Sequence, residues 1–136
     1  MQTKKGFKHN MDKMNKRVYF PLKISPTQKE KFYNFCSDNG FDIGEVVRAF
    51  AAEFVSSHEK KDNKLPFSID GNNKYGDEAP LRISICVNSE IKEQFRTICK
   101  KNYGLPVSVV LRGFMEYCIV KGKFPYKKMN DDFNRR

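Results

Sequence analysis

The chain has 136 residues, 39% of them hydrophobic, a mean hydropathy of −0.68 and a net charge of +10. That is enough apolar material for one modest core and too little chain for two ordinary domains. There is no apolar run of membrane-spanning length, and "MQTKKGFKHN" lacks the hydrophobic stretch of a signal peptide, so the expected location is cytoplasmic and nucleoid-associated.

The charge is uneven. Residues 1–17, a basic N-terminal arm, hold Lys4, Lys5, Lys8, Lys13, Lys16 and Arg17 against Asp12 alone. Residues 121–136, a basic C-terminal tail, hold Lys121, Lys123, Lys127, Lys128, Arg135 and Arg136 against Asp131 and Asp132. The body between them is close to neutral. Basic arms attract polyanions, nucleic acid first and acidic membrane surfaces second. Solubilising ends are the plainer alternative, and neither arm has the apolar helical face that a membrane contact requires.

In chain order, "VYFPLKI" from Val18 alternates as a strand does. It sends Phe20, Leu22 and Ile24 to one face and Tyr19, Pro21 and Lys23 to the other. Proline there removes a ladder donor, so its nitrogen must face away from any partner strand. Ser25-Pro26-Thr27-Gln28 then combines an N-cap serine, proline at the first helical position and glutamine three after the cap. The helix it opens carries Phe32, Phe35 and Cys36 and stops at Asn39-Gly40. Asp42-Ile43-Gly44-Glu45 is a second capping box. It opens a longer helix whose Ile43, Val46, Val47, Phe50, Ala51 and Phe54 form one apolar stripe. Residues 18–55 are thus one strand-helix-helix unit.

Residues 56–80, rich in Gly, Asn, Asp and Lys, read as a linker. At about 3.3 Å per residue it can carry the chain back beside its first strand. Residues 81–120 then repeat the unit. In "LRISICVNSE", Ile83, Ile85 and Val87 face one way and Arg82, Ser84 and Cys86 the other. Asn88 or Ser89 caps a helix carrying Ile91, Phe95, Ile98 and Cys99, which stops before Gly104. Pro106 starts a second helix with Val107, Val110, Leu111, Phe114, Met115 and Cys118 on its apolar stripe.

The two units align at an offset of 63, then of 64 after one residue is inserted in the later copy. Fixed-period agreement of this kind marks an internal duplication. "KLPF" (Lys64 to Phe67) and "KFPY" (Lys123 to Tyr126) follow the long helix in each copy, and their prolines should stop the helix and lay its tail on the body. Arg48 and Arg112 coincide midway along the long helices, where a salt bridge within the bundle is expected.

One strand-helix-helix unit cannot bury its own apolar faces, and a lone strand lacks a hydrogen-bonding partner. Two units solve both problems. The expected fold is mainly α with a two-stranded antiparallel β-ribbon, four helices covering one ribbon face and the polar face left bare. Cys36, Cys86, Cys99 and Cys118 are too widely spaced for a zinc site or a disulfide framework and read as small buried hydrophobes. No glycine-rich phosphate loop, HExxH, paired acids or Ser/His/Asp set is present. His9 and His58 lie in the arm and at the linker's edge, so neither an enzyme nor a cofactor is expected.

This order of elements, with a basic arm ahead of the strand and an Asn-Gly turn between the helices, resembles the ribbon-helix-helix (Arc/MetJ-type) DNA-binding family, whose members read DNA with a β-ribbon. The resemblance covers residues 17–126 and implies a tandem, pseudo-dimeric form of a fold normally built from two chains. It implies that Tyr19, Pro21, Lys23, Arg82, Ser84 and Cys86 face base edges in the major groove. It also implies that Gly44 and Ser108, in the first turns of the long helices, contact phosphates, with Lys13, Lys16 and Arg17 clamping the flanking backbone. A solvated strand face is the alternative for the six ribbon residues. The implied partner is double-stranded DNA, with possible self-association of units on adjacent sites, and the implied role is transcriptional repression. The fused form is also similar to plasmid-transfer accessory proteins, and the proline-bearing tails to some antitoxins. Either would add a protein partner.

Overall fold

The structure, a computed structural model, describes residues 17–59, 64–69 and 78–134. Strand β1 (Arg17–Ile24) leads into α1 (Pro26–Asp38) and α2 (Ile43–Glu59). Strand β2 (Leu81–Asn88) leads into α3 (Ser89–Ile98), a π-helical turn (Cys99–Tyr103) and α4 (Val107–Lys121), and a last short helix, α5 (Lys127–Asn134), follows. The chain is mainly helical with one two-stranded antiparallel sheet.

The strands pair along their whole length, from Arg17 opposite Asn88 to Ile24 opposite Leu81. Phe20, Leu22, Ile24, Ile85 and Val87 are buried under the helices, and Ile83 is half-buried. The register places Tyr19 opposite Cys86, Pro21 opposite Ser84 and Lys23 opposite Arg82. Pro21 has no N–H to give, so its rung is one whose backbone groups point off the ribbon's edges. Alternation gives the Tyr19 and Lys23 rungs the same character. In such rungs the side chains of facing residues approach most closely.

The helix caps form as local sequence dictates. Ser25 Oγ accepts from the Gln28 N–H at 3.0 Å, Asp42 Oδ2 from Glu45 at 3.2 Å, and Asn88 Oδ1 from Glu90 at 2.8 Å and Ile91 at 3.3 Å. The Gln28 side chain reaches across the molecule, its Nε2 donating to Arg112 O and Glu116 Oε2, both at 3.3 Å. Gly40 and Gly104 occupy equivalent positions after the first helix of each unit, and both are left-handed, with φ of 79° and 64°. Only glycine takes that conformation without cost. The residue inserted in the later copy coincides with the π-helical turn just before Gly104, whose wider coil absorbs it.

The core is built from phenylalanines at equivalent positions. Phe50 and Phe114 stack on each other, ring centroids 4.0 Å apart and planes 13° from parallel. Phe32 meets Phe114 at 6.0 Å and Phe95 meets Phe50 at 5.9 Å, each pair at an interplanar angle of 70°. All four are essentially inaccessible to solvent.

Both proline-bearing tails lie on the body. Phe67 packs on Phe50 and Tyr117, and Phe124 on Phe35 and Phe41. Two boundaries shift from the sequence reading: α2 runs to Glu59, past residue 55, and α4 to Lys121. Residues 127–134, read as part of a basic tail, form α5. Its Met129 and Phe133 are buried, with Phe133 edge-on to Phe41 at 4.5 Å.

Candidate nucleic-acid interface

The six ribbon residues share one face. Tyr19 is 56% exposed. Pro21, Lys23, Arg82 and Ser84 are exposed too, and Cys86, opposite Tyr19, is half-buried. No described residue covers this face. A two-stranded ribbon is about 5 Å between strand axes, so it fits a B-DNA major groove about 12 Å wide.

Charge on the face is concentrated at one rung. Lys23 and Arg82 are direct cross-strand partners. Like charges so placed oppose folding, and a bound anion relieves the repulsion. Both line a cleft of about 280 Å3 together with Pro21, Leu22 and Ser108. The cleft joins three of the expected base readers, Pro21, Lys23 and Arg82, to the first turn of α4, where free backbone N–H groups favour an anion. Gly44, the equivalent of Ser108 on α2, lies between side chains. A Cβ there would stand 3.0 Å from Arg48 Nη1 and from Asp42 Oδ2.

Arg48 and Arg112 both make hydrogen bonds to strand backbone. Arg48 Nη1 donates to Cys86 O at 3.3 Å, and Arg112 Nη1 donates to Lys23 O at 3.0 Å. The two arginines hold equivalent positions in the repeat. A carbonyl partner leaves no mark in a sequence, so the contact itself was not readable there. Of the arm, Arg17 begins β1 opposite Asn88, while Lys13 and Lys16 lie outside the described residues.

A second basic surface, which the sequence pattern does not single out, lies along α3 and the π-helical turn. Arg96, Lys100 and Lys101 line an open depression with Thr97. Their near-fourfold spacing along α3 and the π-helical turn was the available signal. Arg96 is partly neutralised by Glu93 at 2.6 Å.

His58 and three of the four thiols have structural surroundings. His58 Nδ1 lies 2.7 Å from Phe54 O, so that nitrogen carries a proton, and Nε2 lies 2.5 Å from Tyr103 Oη. Burial pushes the Cys36 and Cys99 thiols up to about 12 and the Cys118 thiol further, so all three are inert hydrophobes. Among the described residues no group of three or more His, Cys, Asp or Glu could hold a metal ion, and no single helix is long and apolar enough to cross a membrane. No family model, characterised protein or solved structure matches the chain.

Proposed function

We propose that the chain is a tandem ribbon-helix-helix protein, a single-chain pseudo-dimer that binds double-stranded DNA sequence-specifically and acts as a transcriptional repressor. Its ribbon enters the major groove, Arg82 and Lys23 donate to guanine O6 and N7, and Ser84 donates or accepts. The first turns of α2 and α4 and the basic arm hold phosphates on either side. Occupying an operator then excludes polymerase, with no cofactor taking part.

The observation that carries this reading is the Lys23–Arg82 rung on a bare, polar ribbon face. A strand face with no partner gains nothing from opposed cations, whereas a polyanion-binding face does. The pairing of equivalent aromatic contacts, Phe32–Phe114 with Phe95–Phe50, is what a pseudo-two-fold axis through the Phe50–Phe114 stack would produce.

Titration of a duplex of enriched sequence against salt is the test. The slope of log K on log salt should be about −3 or steeper, from Lys13, Lys16 and Arg17 at about 0.9 per neutralised phosphate. A flat response, or equal affinity for all duplexes, contradicts the reading.

A further inference from the structure

Arg48 and Arg112 are placed crosswise. Arg48 stands on α2 of the first unit and donates to Cys86 O on the second strand; Arg112 stands on α4 of the second unit and donates to Lys23 O on the first. Their two acceptors are themselves equivalent in the repeat, and both belong to residues whose side chains lie on the bare face. These carbonyls point off opposite edges of the ribbon, where no further strand stands among the described residues. Two-stranded ribbons twist more than wide sheets do, so the angle at which each rung presents its side chains needs an external reference. One guanidinium on each edge supplies it.

We propose that Arg48 and Arg112 are positioning residues for base recognition, each setting how the strand of the opposite unit presents its readers. Arg48 governs Arg82, Ser84 and Cys86; Arg112 governs Tyr19, Pro21 and Lys23. The inference rests on the DNA-binding function proposed above and deepens it. It also gives Gly44 a reason. A side chain there would crowd the Arg48 guanidinium at 3.0 Å, so glycine leaves that group its place beside Cys86 O. The two arginines differ in setting. Arg48 is exposed, whereas Arg112 is only 5% exposed. Removing Arg48 therefore leaves no buried gap, and it is the cleaner probe.

The full-length chain and its Arg48→Met, Arg48→Lys and Arg112→Met variants are each used to select bound duplexes from a randomised 30-base-pair pool. Backbone amide spectra are recorded in parallel without DNA. Arg48→Met should melt close to wild type and shift the Val87 amide nitrogen, whose peptide contains the Cys86 carbonyl. It should weaken base preference at least about fivefold in one half of the site only, the lower end of what one bidentate base contact supplies. Arg112→Met should do the same to the Ile24 amide and to the other half. Arg48→Lys, which keeps a donor, should recover part of the lost preference. Equal loss in both halves would mark a merely structural role and overturn the inference, as would selective binding that survives both methionine variants unchanged. A wild-type chain that enriches no sequence overturns the DNA-binding proposal itself, and this inference with it.

Discussion

Lys23 and Arg82 stand opposite one another on the bare face of the ribbon, two cations on one rung. Such a pair costs folding about 0.2–1 kcal/mol relative to a neutral one. Arg82→Ala should therefore melt at or slightly above the wild-type temperature, while losing about 1–3 kcal/mol of affinity and relaxing one base position. Lys16→Ala, in the arm, should instead weaken every duplex alike. Gel shifts on matched and singly mismatched duplexes separate the two, and uniform loss for Arg82→Ala would argue against base reading.

The Phe50–Phe114 stack joins the two units at their centre. Either ring replaced by alanine should cost about 3–5 kcal/mol, since both sites are closed to solvent and have little room to collapse. The double variant should cost less than the sum, because each single change already removes the shared contact. Urea unfolding of the four proteins in the cycle measures the coupling. Strict additivity would mean that the rings do not stabilise one another.

The buried thiols make stability fall in alkali. Burial, chiefly, raises Cys36 and Cys99 from 9.0 to about 12 and Cys118 beyond that, with the nearby Cys36 adding to the rise at Cys118. In the unfolded chain each releases its proton near pH 9, so above that pH the unfolded state binds fewer protons and is favoured. The contribution is complete below pH 9 and is lost progressively towards pH 12, by at most about 1.4 kcal/mol per group per pH unit. Urea midpoints at pH 8, 9.5 and 10.5 should decline, less steeply in Cys118→Val. At pH 8 an aromatic disulfide reagent should label Cys86 alone in the folded protein. Rapid labelling of all four would contradict the packing.

Helix α5 is held by Phe133 against the aromatic rings of Phe41 and Phe124, and its Met129 is buried as well. A short helix held by few apolar contacts opens locally rather than with the whole fold. Phe133→Ala should therefore speed tryptic cleavage at Lys127 and Lys128 severalfold while leaving the global melting temperature and DNA affinity nearly unchanged. A large drop in global stability would show that α5 belongs to the central core.

What the sequence revealed and what it hid divide by the range of the interaction. Strand alternation, capping residues and the apolar stripes of α2 and α4 are local and periodic, and all appear where the pattern put them. The inserted residue was visible as a change of offset, though its π-helical turn was not. Helix α5 was hidden because Met129 and Phe133 are two apolar residues among lysines and aspartates. Contact with Phe124 and with Phe41, some ninety residues away, gives Phe133 a side to face. Gln28 fits a capping box by spacing, yet its side chain is taken by Arg112 O and Glu116. The wet ribbon face was legible because Tyr19, Lys23, Arg82 and Ser84 alternate with the apolar Phe20, Leu22, Ile24, Ile83 and Ile85. Its crosswise arginine support was not legible, since backbone carbonyls carry no residue code.

Methylation interference tests entry of the ribbon into the major groove most directly. Guanines methylated at N7 lose the acceptor that Arg82 and Lys23 need. Duplexes bound by wild type should be depleted of N7-methylguanine at one or two positions, and Arg82→Ala should abolish the depletion at one of them. Binding that tolerates N7 methylation everywhere, yet is displaced by a minor-groove ligand, would contradict major-groove reading by this ribbon.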